Sequence, residues 1–167
     1  MTYPNLSILG IDEVRQLSEP RVDYLMSILA SGDILPRPEW ILADHYLALI
    51  FDDLDDPYYQ DGIHIPPTPA DLQNILAWGQ QIDQAQRQQG EPLSVLIHCT
   101  AGISRSSAAA YAIWCDWLGP GNEAWAAAEV RKVRPKAAPN RLMVMYADQI
   151  LGRKGRLVEK AATFYPE

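Results

Sequence analysis

The sequence predicts an α/β fold in which a central, mostly parallel sheet of about four to five strands is flanked by helices. Three observations carry this expectation. Short apolar runs of strand length alternate with longer segments of helical period, the order that builds parallel sheets through crossover helices. One run, LSVLIH (Leu93–His98), is apolar almost throughout, as suits a central strand covered on both faces. With 167 residues, 48% hydrophobic and 21% charged, the chain suits one domain over 1–167 with a sizeable core.

Taken in order, NLSIL (Asn5–Leu9) reads as a short first strand, followed by a helical turn around Asp12–Leu17. VDYLMSILA (Val22–Ala30) has strand-like apolar content, closed by Ser31–Gly32. HYLALIF (His45–Phe51) is a better strand and ends abruptly in DDLDDP. The next segment places Leu72, Ile75, Leu76, Gly79 and Ile82 on one side at helical spacing. Pro69 suits its first turn and Gly90 its end. Beyond Leu93–His98, SSAAAYAIWCDWLG reads as a helix whose small residues allow close packing on the sheet. Further helices are expected over Asn122–Arg134, with Asn122 as cap, and from about Asn140 to Leu151. The tail RKGRLVEKAATFYPE carries no clear signal.

A net charge of −7 argues against nucleic acid or an anionic membrane as the main partner. The first residues, MTYPNLSILG, lack the basic start and apolar core of a signal peptide, and no apolar stretch reaches the length of a membrane span. Cys99 and Cys115, the two cysteines, are too few for a disulfide framework, so a reducing cytoplasm is the expected compartment. A monomer is the favoured state. An acidic protein binds an anion only by concentrating local positive potential, which draws the eye to its arginines.

The stretch HCTAGISRSS (His98–Ser107) lies at the turn from a buried strand into a helix, where ligands gather in parallel α/β sheets. Gly102 permits the tight backbone that an anion cradle requires. The N–H groups of Thr100, Ala101, Gly102, Ile103, Ser104 and Arg105 can converge as an anion nest at a helix N-terminus. Arg105 can add two parallel charge-assisted hydrogen bonds to phosphate oxygens. The same positive field favours a Cys99 thiolate, and a thiolate facing a cradled phosphate is a nucleophile for phosphoryl transfer. Ser106 can hydrogen-bond that sulfur and stabilise it as a leaving group. Zinc is not expected, since His45, His64, His98 and Cys99 show no pair at ligand spacing.

VLIHCTAGISRSS resembles the His-Cys-(five residues)-Arg-Ser/Thr signature of the cysteine-based protein tyrosine phosphatases, and their compact dual-specificity-like branch in particular. The resemblance implies a cysteine loop between strand and helix, with Cys99 as nucleophile, Arg105 as phosphate clamp and Ser106 as sulfur partner. It implies that His98 supports the loop and thiolate. The low-molecular-weight phosphatases share the Cys-to-Arg spacing near the N-terminus, whereas Cys99 lies well past mid-chain. The implied substrate is a phosphorylated protein or small phosphomonoester, phosphotyrosine first, with phosphoserine and phosphothreonine open. Neither metal nor cofactor is needed, because Arg105 and the nest supply the electrostatic stabilisation. A phosphoinositide phosphatase is the first rival, although that branch tends to carry lysines inside the loop. A sulfurtransferase of rhodanese type and a phosphate-reading module without turnover complete the alternatives.

Expelling a tyrosine phenolate calls for a proton donor. FDDLDDPYYQDG (Phe51–Gly62) offers Asp52, Asp53, Asp55, Asp56 and Asp61. The His45–Phe51 strand should run parallel to Leu93–His98, so that an aspartate just past the first hangs over the loop past the second. In the compact phosphatases the acid follows a strand of the form Tyr-Leu-x-Ile, and matching Tyr46-Leu47 to it selects Asp53, with Asp52 the close rival. KAAPNRL (Lys136–Leu142) resembles the Pro-Asn segment that buttresses the catalytic loop, through Asn140 bonding to loop backbone; Asn140 also reads as a helix cap. Arg131, Lys132, Arg134 and Lys136 read as a solvated basic face. Cys115 reads as packing, as do Trp78, Trp114, Trp117 and Trp125.

Overall fold

A computed structural model of the chain describes residues 1–18 and 22–166. Its sheet has four parallel strands, β1 (Asn5–Gly10), β2 (Tyr24–Leu29), β3 (Tyr46–Ile50) and β4 (Ser94–Cys99), in the order β1-β4-β2-β3. Strand β4 pairs on both sides, from Asn5↔Ser94 to Gly10↔Cys99 and from Tyr24↔Val95 to Ser27↔His98. Its continuous apolar run is therefore a central strand, buried from Val95 to Cys99. Strand β1, at one edge, alternates in burial as an edge strand with one wet face does. Because all four strands are parallel, Gly10, Leu29, Ile50 and Cys99 end at one edge of the sheet.

The helices are α1 (Ile11–Arg15), α2 (Pro69–Gln86), α3 (Arg105–Leu118), α4 (Glu123–Val133), α5 (Arg141–Ile150) and α6 (Arg156–Ala161). The main core joins β1, β2 and β4 to α2, α3, α4, α5 and α6. A smaller cluster of Val14, Leu25, Ile41 and Leu96 fills the opposite face. Helix α3 is buried from Arg105 to Cys115, and Ala108, Ala109, Ala110 and Ala112 let it lie close to its neighbours. Gly79 of α2 makes the same accommodation, since a Cβ there would meet Ile113 Cγ1 at 3.1 Å. Among the described residues no helix is long and apolar enough to cross a membrane.

Some local expectations need correction. Helix α2 begins at Pro69 with a reciprocal Thr68–Asp71 cap but ends at Gln86, before Gly90. The buried Gln86 amide turns inward to bond Glu91 O and Leu93 N–H at 3.2 and 2.8 Å, which leads the chain into β4. Asn122 precedes α4 without capping it through its side chain; its Nδ2 donates to Leu118 O at 2.8 Å. The tail forms α6, seated by Asp148, which accepts from Gly155 and Leu157 N–H at 2.7 and 2.8 Å. Trp78 and Trp114 are buried and Trp117 packs against the core. Trp125 is 52% exposed, with its indole N–H on Glu129, so it is not a core residue.

Ile97 is fully buried in the main core. Ile97→Ala should lower unfolding free energy by about 2–5 kcal/mol, read as a lower urea midpoint at unchanged slope.

Candidate active site

The loop from Cys99 to Arg105 owes its shape to where its carbonyl oxygens go. Thr100 O accepts from Ile11 N–H at 3.0 Å. Ala101 O and Gly102 O accept from Arg134 Nη2 and Nε at 3.1 and 2.8 Å. Ile103 O accepts from Ala138 N–H at 2.9 Å, and Ser104 O from Asn140 N–H at 3.1 Å. Each oxygen is thus held by a donor outside the loop. A trans peptide sets C=O and the following N–H antiparallel, so the N–H groups from Ala101 to Arg105 turn into the loop. Gly102 N–H accordingly reaches Cys99 Sγ at 3.3 Å. Gly102 has φ +69, and a Cβ there would lie 2.5 Å from Leu9 C, so only glycine fits between the loop and β1.

The predicted residues gather around this cradle. Cys99 is 2% exposed, and Ser106 Oγ lies 3.1 Å from its sulfur. Arg105 Nη1 donates to Phe51 O at 2.8 Å and Nη2 to Thr100 Oγ1 at 2.9 Å. Its Nε is buried without a partner among the described residues. His98 is fully buried, with Nε2 2.6 Å from Ser27 Oγ and Nδ1 3.4 Å from Cys99 O. Burial pushes its pKa below the usual histidine value, so the ring is neutral near pH 7. His98 therefore braces the strand end below the loop as an uncharged packing and hydrogen-bonding group. Cys115 is remote in sequence on α3, and burial pushes its thiol up to about 12.

Two neighbouring aspartates have separate environments. Asp52 is buried and accepts from Ser31 N–H at 3.0 Å, from the Ser31 hydroxyl, and from Ile65 N–H at 2.8 Å. Burial opposes its charge, but the Ser31 hydroxyl and the two amides outweigh that and hold its pKa below the usual aspartate value. Asp53 is exposed and faces the loop: its Oδ1 accepts from Ser104 Oγ at 2.6 Å and Asn140 Nδ2 at 2.9 Å. Asp55 Oδ1 accepts from Arg141 N–H at 3.0 Å, Asp56 caps Tyr58 N–H, and Asp61 binds His64.

Asn140 does more than either sequence reading held. Its backbone N–H buttresses Ser104, its side-chain oxygen caps α5 by accepting from Met143 N–H at 2.9 Å, and its side-chain amide holds Asp53 and Leu54 O. The basic cluster is not one solvated face. Arg131 lies over the Phe164 ring and bonds Thr163, while Arg134 is buried beneath the loop. Arg134 is paired with Glu13 at 2.6 and 3.1 Å, and Glu13 also accepts from Gly10 N–H at 3.1 Å. Sequence reasoning missed Glu13, Ser27, Ser31 and the Phe51 carbonyl. Only the adjacency of Glu13 to the end of β1, at the same sheet edge as Cys99, signalled one of them.

Arg134→Met leaves two loop carbonyls without their donor and should cost about 1–3 kcal/mol at pH 7, measured by urea unfolding. The Arg134 hydrogen bonds and Gly10 N–H lower the Glu13 pKa against the opposing effect of burial. The stability from this pair is therefore present above the ordinary glutamate value of 4.5 and is lost as pH falls through the lower folded value. The gap between wild type and Arg134→Met should accordingly narrow on acidification.

No protein-family model matches the chain, and no curated protein matches it in sequence. Solved structures match it in shape. The crystal structure of human DUSP28 covers 92% of this chain and 95% of its own at 19% identity, with a TM-score of 0.57. DUSP15 covers 98% and 94% at 19% identity and a TM-score of 0.61. PTPMT1 in complex with PI(5)P covers 94% of both chains at 15% identity and a TM-score of 0.58. At these identities the likeness is one of fold. With its four parallel strands and with Cys99 ending the strand that opens the loop, the chain has the fold of the compact dual-specificity-type cysteine phosphatases.

Proposed function

We propose that the chain is a cysteine-dependent protein phosphatase that hydrolyses phosphotyrosine, with phosphoserine and phosphothreonine as further substrates within reach of the same chemistry. The outward-held carbonyls of Thr100–Ser104 carry this reading. They turn the intervening N–H groups into the loop, where Gly102 N–H reaches Cys99 Sγ, and Arg105 Nε is buried without a partner among the described residues. A phosphoryl group seated there receives amide dipoles and a guanidinium on its equatorial oxygens, where charge gathers in the transition state.

Cys99 Sγ attacks phosphorus, the P–O bond to the substrate breaks, and Asp53 delivers its proton to the departing oxygen. Ser104 and Asn140 place that carboxyl beside the loop. Asp53, now a carboxylate, takes a proton from water, which displaces sulfur from the cysteinyl phosphate. Ser106 donates to the returning thiolate from 3.1 Å. His98 acts as a positioning residue through Ser27 and the Cys99 carbonyl. Asp52 is set aside as the acid because three donors already hold it in a turn.

The PI(5)P-bound relative keeps a phosphoinositide phosphatase in view as a second reading. Thr100, Ala101, Gly102, Ile103 and Ser104 carry no charge to receive additional phosphates, which favours the protein substrate. Conversely, the presence of Cys99, Arg105, Ser106 and Asp53 around one cradle favours turnover over phosphate reading alone.

Cys99→Ser should abolish phosphotyrosine-peptide hydrolysis while retaining peptide binding; surviving turnover would remove Cys99 as nucleophile. Asp53→Asn should slow phosphotyrosine cleavage by about 10²–10⁴-fold and slow an aryl phosphate with an acidic phenol much less. Asp52→Asn should lower thermal stability and affect both substrates alike.

A further inference from the structure

Resting on the phosphatase reading, we propose that an acidic and aromatic wall beside the cysteine loop selects phosphotyrosine peptides with arginine or lysine flanking the phosphorylated residue. The same wall turns away substrates with further phosphate groups.

The loop it borders is the phosphate site of that reading, and Arg105 there, 5% exposed, has no partner for Nε among the described residues. Around it the carboxylates lie close. Asp33 Oδ2 is 3.5 Å from Thr100 Oγ1, Asp53 is on Ser104, and Asp55 holds the backbone of Arg141, next to Asn140. Asp56 continues the same loop, fixed by Tyr58 N–H, whereas Asp61 is paired with His64. The wall is thus preorganised, and holding a backbone N–H leaves each carboxylate its charge.

Among the described residues Asp33, Asp53, Asp55 and Asp56 have no salt-bridge partner: Arg134 is paired with Glu13, His64 with Asp61, and the Arg141 guanidinium sits over Tyr165 at 4.0 Å. The wall also presents ring and apolar surface: Tyr58 is 87% exposed, and Ile34 is 83% exposed beside Asp33. A guanidinium or ammonium there meets carboxylates, and Tyr58, whose N–H is held by Asp56, offers an exposed ring beside that carboxylate. A second phosphate on the substrate, by contrast, meets unbalanced negative charge within a Debye length.

The test uses two phosphotyrosine peptides matched except for flanking residues, Arg/Lys in one and Glu/Asp in the other. The readout is their ratio of kcat/KM, in which changes to the chemical step cancel. In low salt the basic peptide should be favoured about tenfold or more, the scale of two or three exposed ion pairs acting together. The ratio should fall to within about threefold in the D33N/D55N/D56N variant, and again in 0.5 M salt on the order of a 4 Å Debye length. Asparagine keeps the acceptor oxygen of each turn, so the variant removes charge rather than structure. A wild-type ratio near one, a preference for the acidic peptide, or a ratio untouched by the variant would overturn the proposal. So would faster hydrolysis of vesicles containing phosphatidylinositol 5-phosphate than of the basic peptide. Binding of both peptides to Cys99→Ser protein tests the wall without turnover. Absence of para-nitrophenyl phosphate hydrolysis by wild type would instead count against the phosphatase reading alone.

Discussion

Five consecutive carbonyl oxygens would repel any anion at the cysteine loop if they faced inward, and the fold supplies a donor for each of them. Ile11 at the start of α1, Arg134 at the end of α4, and Ala138 and Asn140 in the α4–α5 connection all converge on Thr100–Ser104. Peptide planarity converts that external grip into an internal ring of N–H groups. The rest of the site depends on this. Arg134 can serve two carbonyls because Glu13 fixes its fork-shaped side chain, and Glu13 is in reach because β1 pairs with β4 up to Gly10↔Cys99. Gly102 lets the loop pass against the end of β1 without a clash.

The proposed anion site lies in a chain with a net charge of −7. Directed dipoles resolve this, since amide groups and a guanidinium act at contact range whereas scattered surface carboxylates are screened. The aspartates near the loop also have local work. Asp52 stitches β3 to Ser31 and Ile65, Asp53 joins Ser104 to Asn140, and Asp55 takes the first backbone N–H of α5. A run that reads as a plain acidic loop is in this way tied to three elements.

Much of the fold was legible. Alternating apolar runs and helical periods located all four strands and the principal helices, because burial of whole faces imposes those periods directly. Legibility failed where one side chain overrode the local pattern. Gln86 ended α2 early by bonding towards β4, and Asp148 organised a tail with little signal of its own. Arg134 looked like its neighbours Arg131 and Lys132, since a charged residue on a helix says nothing of whether its head reaches water or a buried carbonyl. Trp125 looked like the other tryptophans but faces outward.

What the sequence by itself determined is the parallel α/β frame and the clustering of His98, Cys99, Arg105 and Ser106, since residues within one turn are neighbours in any fold that places a strand before a helix. The resemblance favoured Asp53 over Asp52, but only tertiary structure shows which of them faces the loop and which residues hold the loop open. Asp52 and Asp53 are adjacent in a single run, and only the positions of Ser31, Ile65, Ser104 and Asn140 distinguish them. Glu13 and Arg134, 121 positions apart, meet because β1 and β4 lie side by side. Such contacts leave no periodicity in the chain, for they depend on strand order rather than on sequence neighbours.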